Sequence, residues 1–357
     1  MTYPAHPWRC LLATLILICV SVSARAANCS YTAETPARLV SVSNLTGSIT
    51  VGRDVAVGNV IYRASFYNNI ATNVYISCPV GTFTAGYRYI MQSGEPSGYT
   101  HPQYGTVYNT SVPGIGYAVW RNNAPMPQLS TYGGGGKFLM PTGFDVSFIK
   151  TSPVVAPGVI NGAELMNIEA MVQGDSVVQG FVSRFVGSLT VVANTCRTPD
   201  VRVDLGEHST SDLQGKGTTT KMVDVNIQLF DCPAFYGAAR RTITEDGVIS
   251  DNAPDFRANN ILYSVRPTSS IIDVINGIMA IQNAGGAGSA QGVGIQILNA
   301  TTLQPYVLTT TQFSGLTLTE SSGPNYVIPL KARYIQTGPT VTAGQADGQA
   351  TVTLIYR

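Results

Sequence analysis

GQADGQATVTLIYR, residues Gly344–Arg357, closes the 357-residue chain. From Ala350 onward it alternates, with Ala350, Val352, Leu354 and Tyr356 on one face and Thr351, Thr353 and Ile355 on the other. That is the two-residue period of a β-strand. A strand flush with the end of the chain leaves no room for another after it. A sheet that needs one more strand is therefore expected to take it from a second chain, with backbone groups pairing along the edge and alternate side chains filling pockets.

Working outward, composition supports the same class. Charged residues make up 11% of the chain while Gly (36) and Pro (20) are plentiful, so short strands joined by turns are favoured over amphipathic helices. No window sustains a helical period. The expected fold is all-β, as two β-sandwich domains.

The first 26 residues read as a secretory signal: a short start with one arginine, an apolar run over Cys10–Ser23 too brief to span a bilayer, and Ala24-Arg25-Ala26 as a small-residue cleavage site. Cleavage removes two arginines and no acid, taking the formal charge from +1 to −1 and leaving 331 residues. A nearly neutral chain lacks the basic stripe that nucleic-acid binding requires. No nucleic-acid partner is thus expected. Of the six cysteines, Cys10 and Cys19 leave with the signal. The other four allow three connectivities. Local pairing, Cys29 with Cys78 and Cys196 with Cys232, keeps each bridge inside one expected domain, and an oxidising export compartment favours disulfides. Loops of these lengths each contribute about 4 kcal/mol on the chain-entropy estimate. Zinc is the competing reading, but there is no CxxC spacing, and His101 and His208 lie far apart. No metal or other cofactor is expected.

The processed chain is twice the usual domain length. The expected organisation is signal 1–26, a first domain 27–192, a linker 193–195 and a second domain 196–357, because the apolar run Ser188–Val192 is followed by a polar stretch and a new cysteine pair. In the first domain, strands are expected at SITV (Ser48), VGNVIYRASFY (Val57–Tyr67), NVYISC (Asn73–Cys78), GIGYAVW (Gly114–Trp120) and FDVSFIKTS (Phe144–Ser152). Gly94–Gln103 is expected to loop out, and Tyr132-GGGG-Lys137 to form a flexible tip.

Several motifs in the second half together carry a resemblance. YVIPLKARYIQTGPTVTAGQADGQATVTLIYR from Tyr326, with Gly344 fourteen residues from the end and Tyr356 penultimate, GVGIQIL at Gly292–Leu298, and the Thr195-Cys196 and Asp231-Cys232 pairs resemble pilins assembled by the chaperone–usher route. The resemblance implies an immunoglobulin-like sandwich lacking its last strand. Its groove would be flanked by Val201, Val203 and Leu205 of the first strand and by Val352, Leu354 and Tyr356 of the last, with Gly344 at the preceding turn. It also implies three protein partners: a periplasmic chaperone whose basic cleft anchors the Arg357 carboxylate, an outer-membrane usher, and the next fimbrial subunit as strand donor. An unfilled groove is an aggregation-prone edge, which is the physical reason for a chaperone.

The first half is similar to the receptor-binding domain of the collagen-binding type 3 fimbrial adhesins of klebsiellae, through DVAVGNVI, NVYISC, VYNTSVPGIGYAVW and FDVSFIKTS in that order. Within the pilin resemblance, a polymerising subunit carries a donor extension of ten or more residues, whereas only Ala27 and Asn28 separate the expected cleavage site from Cys29. The expectation is a subunit that accepts a strand and gives none. Such a subunit passes through the periplasm and caps the fimbria at the cell surface, where the head serves attachment and biofilm formation. The alternative is a structural minor or adaptor pilin. For the receptor, a collagen-like matrix protein or a glycan, the candidate residues are Tyr99, His101 and Tyr104 as an exposed aromatic loop, Trp120 and Arg121 at a strand end, and Lys137 after the glycines. Large aromatics in strands are buried more often than not, so core packing is the plainer reading of Trp120.

No enzyme is expected: the acids Glu34, Asp54, Glu95, Asp145, Glu164, Glu169 and Asp175 form no evident catalytic pair. Gly133–Lys137 fails as a phosphate loop because Thr131 stands where a glycine is required and Phe138 where Ser or Thr is. Gly285–Gly288 lacks the strand–helix context of a dinucleotide site. Asn44, Asn109 and Asn299 are glycosylation sequons by pattern only.

Overall fold

The computed structural model describes residues 28–35, 39–67, 74–90, 94–244, 249–251 and 257–357. The signal segment lies outside these. The regular secondary structure of the described residues is β-strand, apart from 3-10 turns at Gly162–Glu164 and Thr210–Asp212. Among the described residues, no helix is long and apolar enough to cross a membrane.

In the front half, one sheet runs in the order Ser30–Tyr31, Val74–Ile90, Asn167–Gln173, Val177–Val192, Gly158–Asn161. Leu39–Leu45 and Ser48–Thr50 lie parallel to Val177–Val192. The second sheet runs Val60–Tyr67, Phe144–Lys150, Ile115–Arg121, Gly105–Asn109, Pro96–His101. Alternation points Tyr62, Ala64 and Phe66, Tyr117, and Val146 and Phe148 inward against Ile76, Phe83, Ile168, Phe181 and Phe185 of the first sheet. Each such side chain contributes about 1.5–3 kcal/mol by leaving water. The Cys29–Cys78 bridge is part of this core.

Two expectations are corrected here. Gly94–Gln103 does not loop out: Pro96–His101 and Gly105–Asn109 form an antiparallel hairpin at the sheet edge, where a proline is tolerated. Nor are the glycines at 133–136 a tip. They lie within the strand Gln128–Met140, paired along Val74–Ile90 from Gln128↔Tyr87 to Met140↔Val74, with a register shift between Gly134 and Gly136.

Burial of the Tyr87 and Tyr117 hydroxyls pushes both up to about 12. Unfolding returns them to about 10. A raised tyrosine contributes stability that is complete below pH 10 and lost as pH climbs toward 12. Urea unfolding at pH 11 should therefore show about 1.4 kcal/mol less stability per tyrosine than at pH 8, and Tyr117→Phe should halve the drop from this pair.

In the rear half, Val223–Leu229, Tyr326–Gln336, Val293–Asn299, Ile278–Ala280 and Ile271–Asp273 form one sheet. Gln312–Phe313, Ile261–Pro267 and the terminal strand Ala350–Tyr356 form the other. Ile227, Leu229, Ile295, Ile328 and Leu330 meet Ile261, Tyr263, Val265 and Tyr356 in a second core that includes the Cys196–Cys232 bridge. Residues 201–205 form no strand, contrary to expectation. Val203 and Leu205 are half-buried, but Val201 is 41% exposed. Gly344 lets the chain cross Ser289–Ala290, where a Cβ would lie 2.4 Å from the Ala290 nitrogen.

The halves are not separate beads. Ala239–Thr244, from the rear half of the chain, pairs in parallel with Val60–Tyr67, and Ile249–Asp251 extends it, so the rear half supplies two strands to the front half's second sheet. Thr50 ties the joint from the other side: its hydroxyl donates to the Ala234 carbonyl at 2.7 Å and accepts from the Tyr236 N–H at 3.0 Å.

Candidate functional site

Two features can act on partners: a cleft on the outer face of the front half's second sheet, and the terminal strand's far edge.

The period of two places Arg63 and Ser65, Trp120, and Asp145 and Ser147, from three adjacent strands, on the face turned away from the main core. There Trp120 is 3% exposed and donates from Nε1 to Ser147 Oγ at 3.0 Å. Tyr104, 7% exposed, stacks on it with ring centroids 4.9 Å apart, and His101 stacks on Tyr104 at 4.5 Å. The Arg63 guanidinium lies 4.1 Å from the same indole and pairs with buried Asp145 at 3.1 Å. Asp145 also accepts from the Ser65 hydroxyl. Val107, Ala118 and Ile149 complete a small core under the stack.

His101 is the outer member. Its Nδ1 accepts from the backbone N–H groups of Gln103 (3.1 Å) and Tyr104 (3.3 Å), and partial burial lowers its pKa. The neutral ring thus carries its proton on Nε2, a donor. Beside the stack is a cleft of about 350 Å³, lined by Asn59, Arg63, His101, Gln103 and Tyr104 and, from the rear half, by Ala238 and Arg257.

Of the six receptor candidates, Tyr99, His101, Tyr104 and Trp120 come together, but not as an exposed aromatic loop. Tyr104 and Trp120 are buried supports, and His101 is the member that lines the cleft. Arg121 is a structural pin: Nε donates to the Gly143 carbonyl at 2.9 Å, and the guanidinium lies 5.4 Å from the Tyr87 ring. Lys137, in the other sheet, pairs with Glu34 and lies 4.0 Å from the Tyr75 ring. Exposed pairs of this kind contribute about 1 kcal/mol or less, so Lys137→Ala should shift the urea midpoint only slightly and leave adhesion unchanged. Sequence reasoning missed Arg63, Asn59 and Arg257, which carry no local motif.

The terminal strand is hydrogen-bonded on one side. Pairing with Ile261–Pro267, continued by the mutual bonds of Asn260 and Arg357, directs the odd-numbered backbone groups to that partner. The even-numbered groups face the opposite edge. At its end the front half engages that edge: Asp54 N–H donates to the Tyr356 carbonyl (3.1 Å), Asp54 Oδ2 accepts from Tyr356 N–H (2.9 Å), and Arg53 donates to the Leu354 carbonyl (3.0 Å). Gly52 permits the approach, since a Cβ there would lie 2.4 Å from the Tyr356 oxygen. Buried Lys150 holds the turn by donating to the Arg53 carbonyl at 2.6 Å. Among the described residues, no backbone bond reaches Ala350 or Val352 from this edge. Val352 and Leu354 are half-buried, and both pack on the rear core, as do Leu205, Leu316 and Leu318.

The described residues thus form a disulfide-bridged β-sandwich joined to a second bridged sandwich, whose terminal strand takes no backbone bond on its far edge at Ala350 or Val352. Residues 185–357 match the family model for fimbrial protein, and residues 43–179 match that for an MrkD-like receptor binding domain. The type-1 fimbrial protein A chain of Escherichia coli K12 is 31% identical over 212 residues, covering 58% of this chain and 99% of its own. The fimbria adhesin protein of Klebsiella pneumoniae is 23% identical over 320 residues, covering 87% of this chain and 89% of its own. Among solved structures, the CupB6 tip adhesin of Pseudomonas aeruginosa aligns over 93% of this chain and 94% of its own with a TM-score of 0.35 and 17% identity. The chain belongs to the fimbrial protein family. It is a fimbrial, surface-exposed adhesin.

Proposed function

We propose that this adhesin sits at the tip of a chaperone–usher fimbria, that its rear half accepts a strand first from a periplasmic chaperone and then from the next subunit, and that its head attaches the bacterium to a host or matrix surface. The observation that carries this is the terminal strand's far edge, bare from Ala350 to Val352 among the described residues, with half-buried Val352 and Leu354 packed on the rear core. An incoming extended segment would pair with those backbone groups and fill the spaces between every second side chain. The Arg357 carboxylate would be the chaperone's anchor, and export would run through the periplasm to the usher. The head works by binding, without catalysis. Its ligand is a glycan or a collagen-like protein, and attachment of this kind would support biofilm formation.

The experiment is co-expression of the full chain with its chaperone, followed by challenge with an extended peptide copying the donor segment of a partner subunit. Ligand that binds only the folded state stabilises it by about 2.7 kcal/mol at a hundred times its Kd. The melting temperature should rise with peptide concentration, and the chaperone should be displaced. A chain that is equally stable with and without either partner would sink the proposal.

A further inference from the structure

We infer that the cleft between the aromatic stack and the rear half is a binding site for an acidic saccharide, one whose terminal sugar carries a carboxylate. This rests on reading the front half as the receptor-binding head and goes beyond it by naming site and ligand class. None of the described residues lining the cleft is acidic, whereas Arg63, Arg257, Asn59, Gln103 and the Nε2–H of His101 all offer donors. In a chain with so few charges, Arg257 brings a positive charge to the cleft while that of Arg63 is matched by Asp145 behind it, and a planar donor fork suits a carboxylate. Arg63 is fixed by Trp120 and by Asp145, which stands behind it and outside the lining. Among the described residues no carboxylate pairs with Arg257. A volume near 350 Å³ takes one sugar ring and its substituents, and falls in the range of small-ligand sites. The stack supports the wall: Tyr104 and Trp120 hold His101 from behind, so its donor is pre-positioned.

Because Arg257 and Ala238 belong to the rear half, the site exists only while the joint is closed. The test therefore uses the full chain, stabilised by its chaperone or a donor peptide. The probes are oligosaccharides ending in sialic or glucuronic acid, each compared with its methyl ester, alongside collagen-like triple-helical peptides. The expected result is at least tenfold tighter binding of an acid than of its ester, a tenfold loss in Arg257→Gln and in His101→Ala, and no change in Lys137→Gln. Circular dichroism and the melting temperature of each variant separate a lost contact from a lost fold. Esters that bind as well as acids, no binding of any acid, or an Arg257→Gln protein with full affinity would each overturn the site. If collagen peptides or intact cells are still bound in that case, the receptor-binding reading survives and only this cleft is wrong. If fibres carrying the chain bind neither sugars, peptides nor cells, the receptor-binding reading fails with it.

Discussion

Replacing Val352 and Leu354 together with aspartate should remove this adhesin from fimbriae altogether while leaving its head folded. Both side chains are half-buried against the rear core, Val352 on the bare stretch of the edge and Leu354 next to it, so in the free chain carboxylates there keep part of their hydration. Once a donated strand covers the edge, the same carboxylates are enclosed without partners. An isolated buried charge costs several kcal/mol. Two such charges exceed what pairing along a seven-residue strand provides, since each net backbone hydrogen bond contributes about 0.5–1.5 kcal/mol. The measurement is immunoblotting of sheared fimbriae and of periplasmic extract: the variant should be missing from the first and depleted from the second, because an uncovered edge is a substrate for aggregation and proteolysis. The control is the same pair of changes at Thr351 and Thr353, whose backbone groups face Ile261–Pro267, and it should assemble. Normal incorporation of the Val352/Leu354 variant would show that the edge is not where the chain joins the fibre.

That edge was legible because alternation over Ala350–Tyr356 survives in the side chains themselves. The bridged cysteines were legible from their placement within two expected domains, and the strands around Phe144 and Trp120 from short β-rich runs of apolar and aromatic residues bounded by turns. Gln128–Met140 was not, because four glycines erase the in-and-out pattern; only its register against Val74–Ile90 makes it a strand. Pro96–His101 was hidden behind turn-forming residues that an edge hairpin accommodates. The exposed-loop reading of Tyr104 failed on a different ground. Whether an aromatic is exposed depends on what covers the outer face of a sheet, and here His101 and Trp120 sandwich it. The cleft was least legible of all. Arg63 and Arg257 are brought together by the parallel pairing of Ala239–Thr244 with Val60–Tyr67, a contact between distant stretches that no local spacing encodes.

Trp120→Ala is expected to cost about 3–5 kcal/mol of head stability, the usual range for emptying a buried aromatic site. The indole touches three things that depend on it. Tyr104 loses the ring it stacks on, Arg63 loses the surface under its guanidinium, and the buried Ser147 hydroxyl loses its donor. The last of these leaves a polar group with no partner at a site closed to water, which adds about 1–3 kcal/mol within the same total. Trp120→Phe restores a ring for Tyr104 and Arg63 but not the Ser147 bond, so it should lie between wild type and alanine. Trp120→Phe combined with Ser147→Ala should recover part of the remaining loss, since removing both partners spares the unsatisfied hydroxyl. Urea unfolding of the four proteins, each held with donor peptide so that the rear half stays constant, tests the order. Because the column ends in His101, binding of any ligand in the cleft should weaken in the same order as stability falls. A Trp120→Ala protein that unfolds like wild type would mean that the stack is ornamental and that His101 is held by the Gln103 and Tyr104 amides alone.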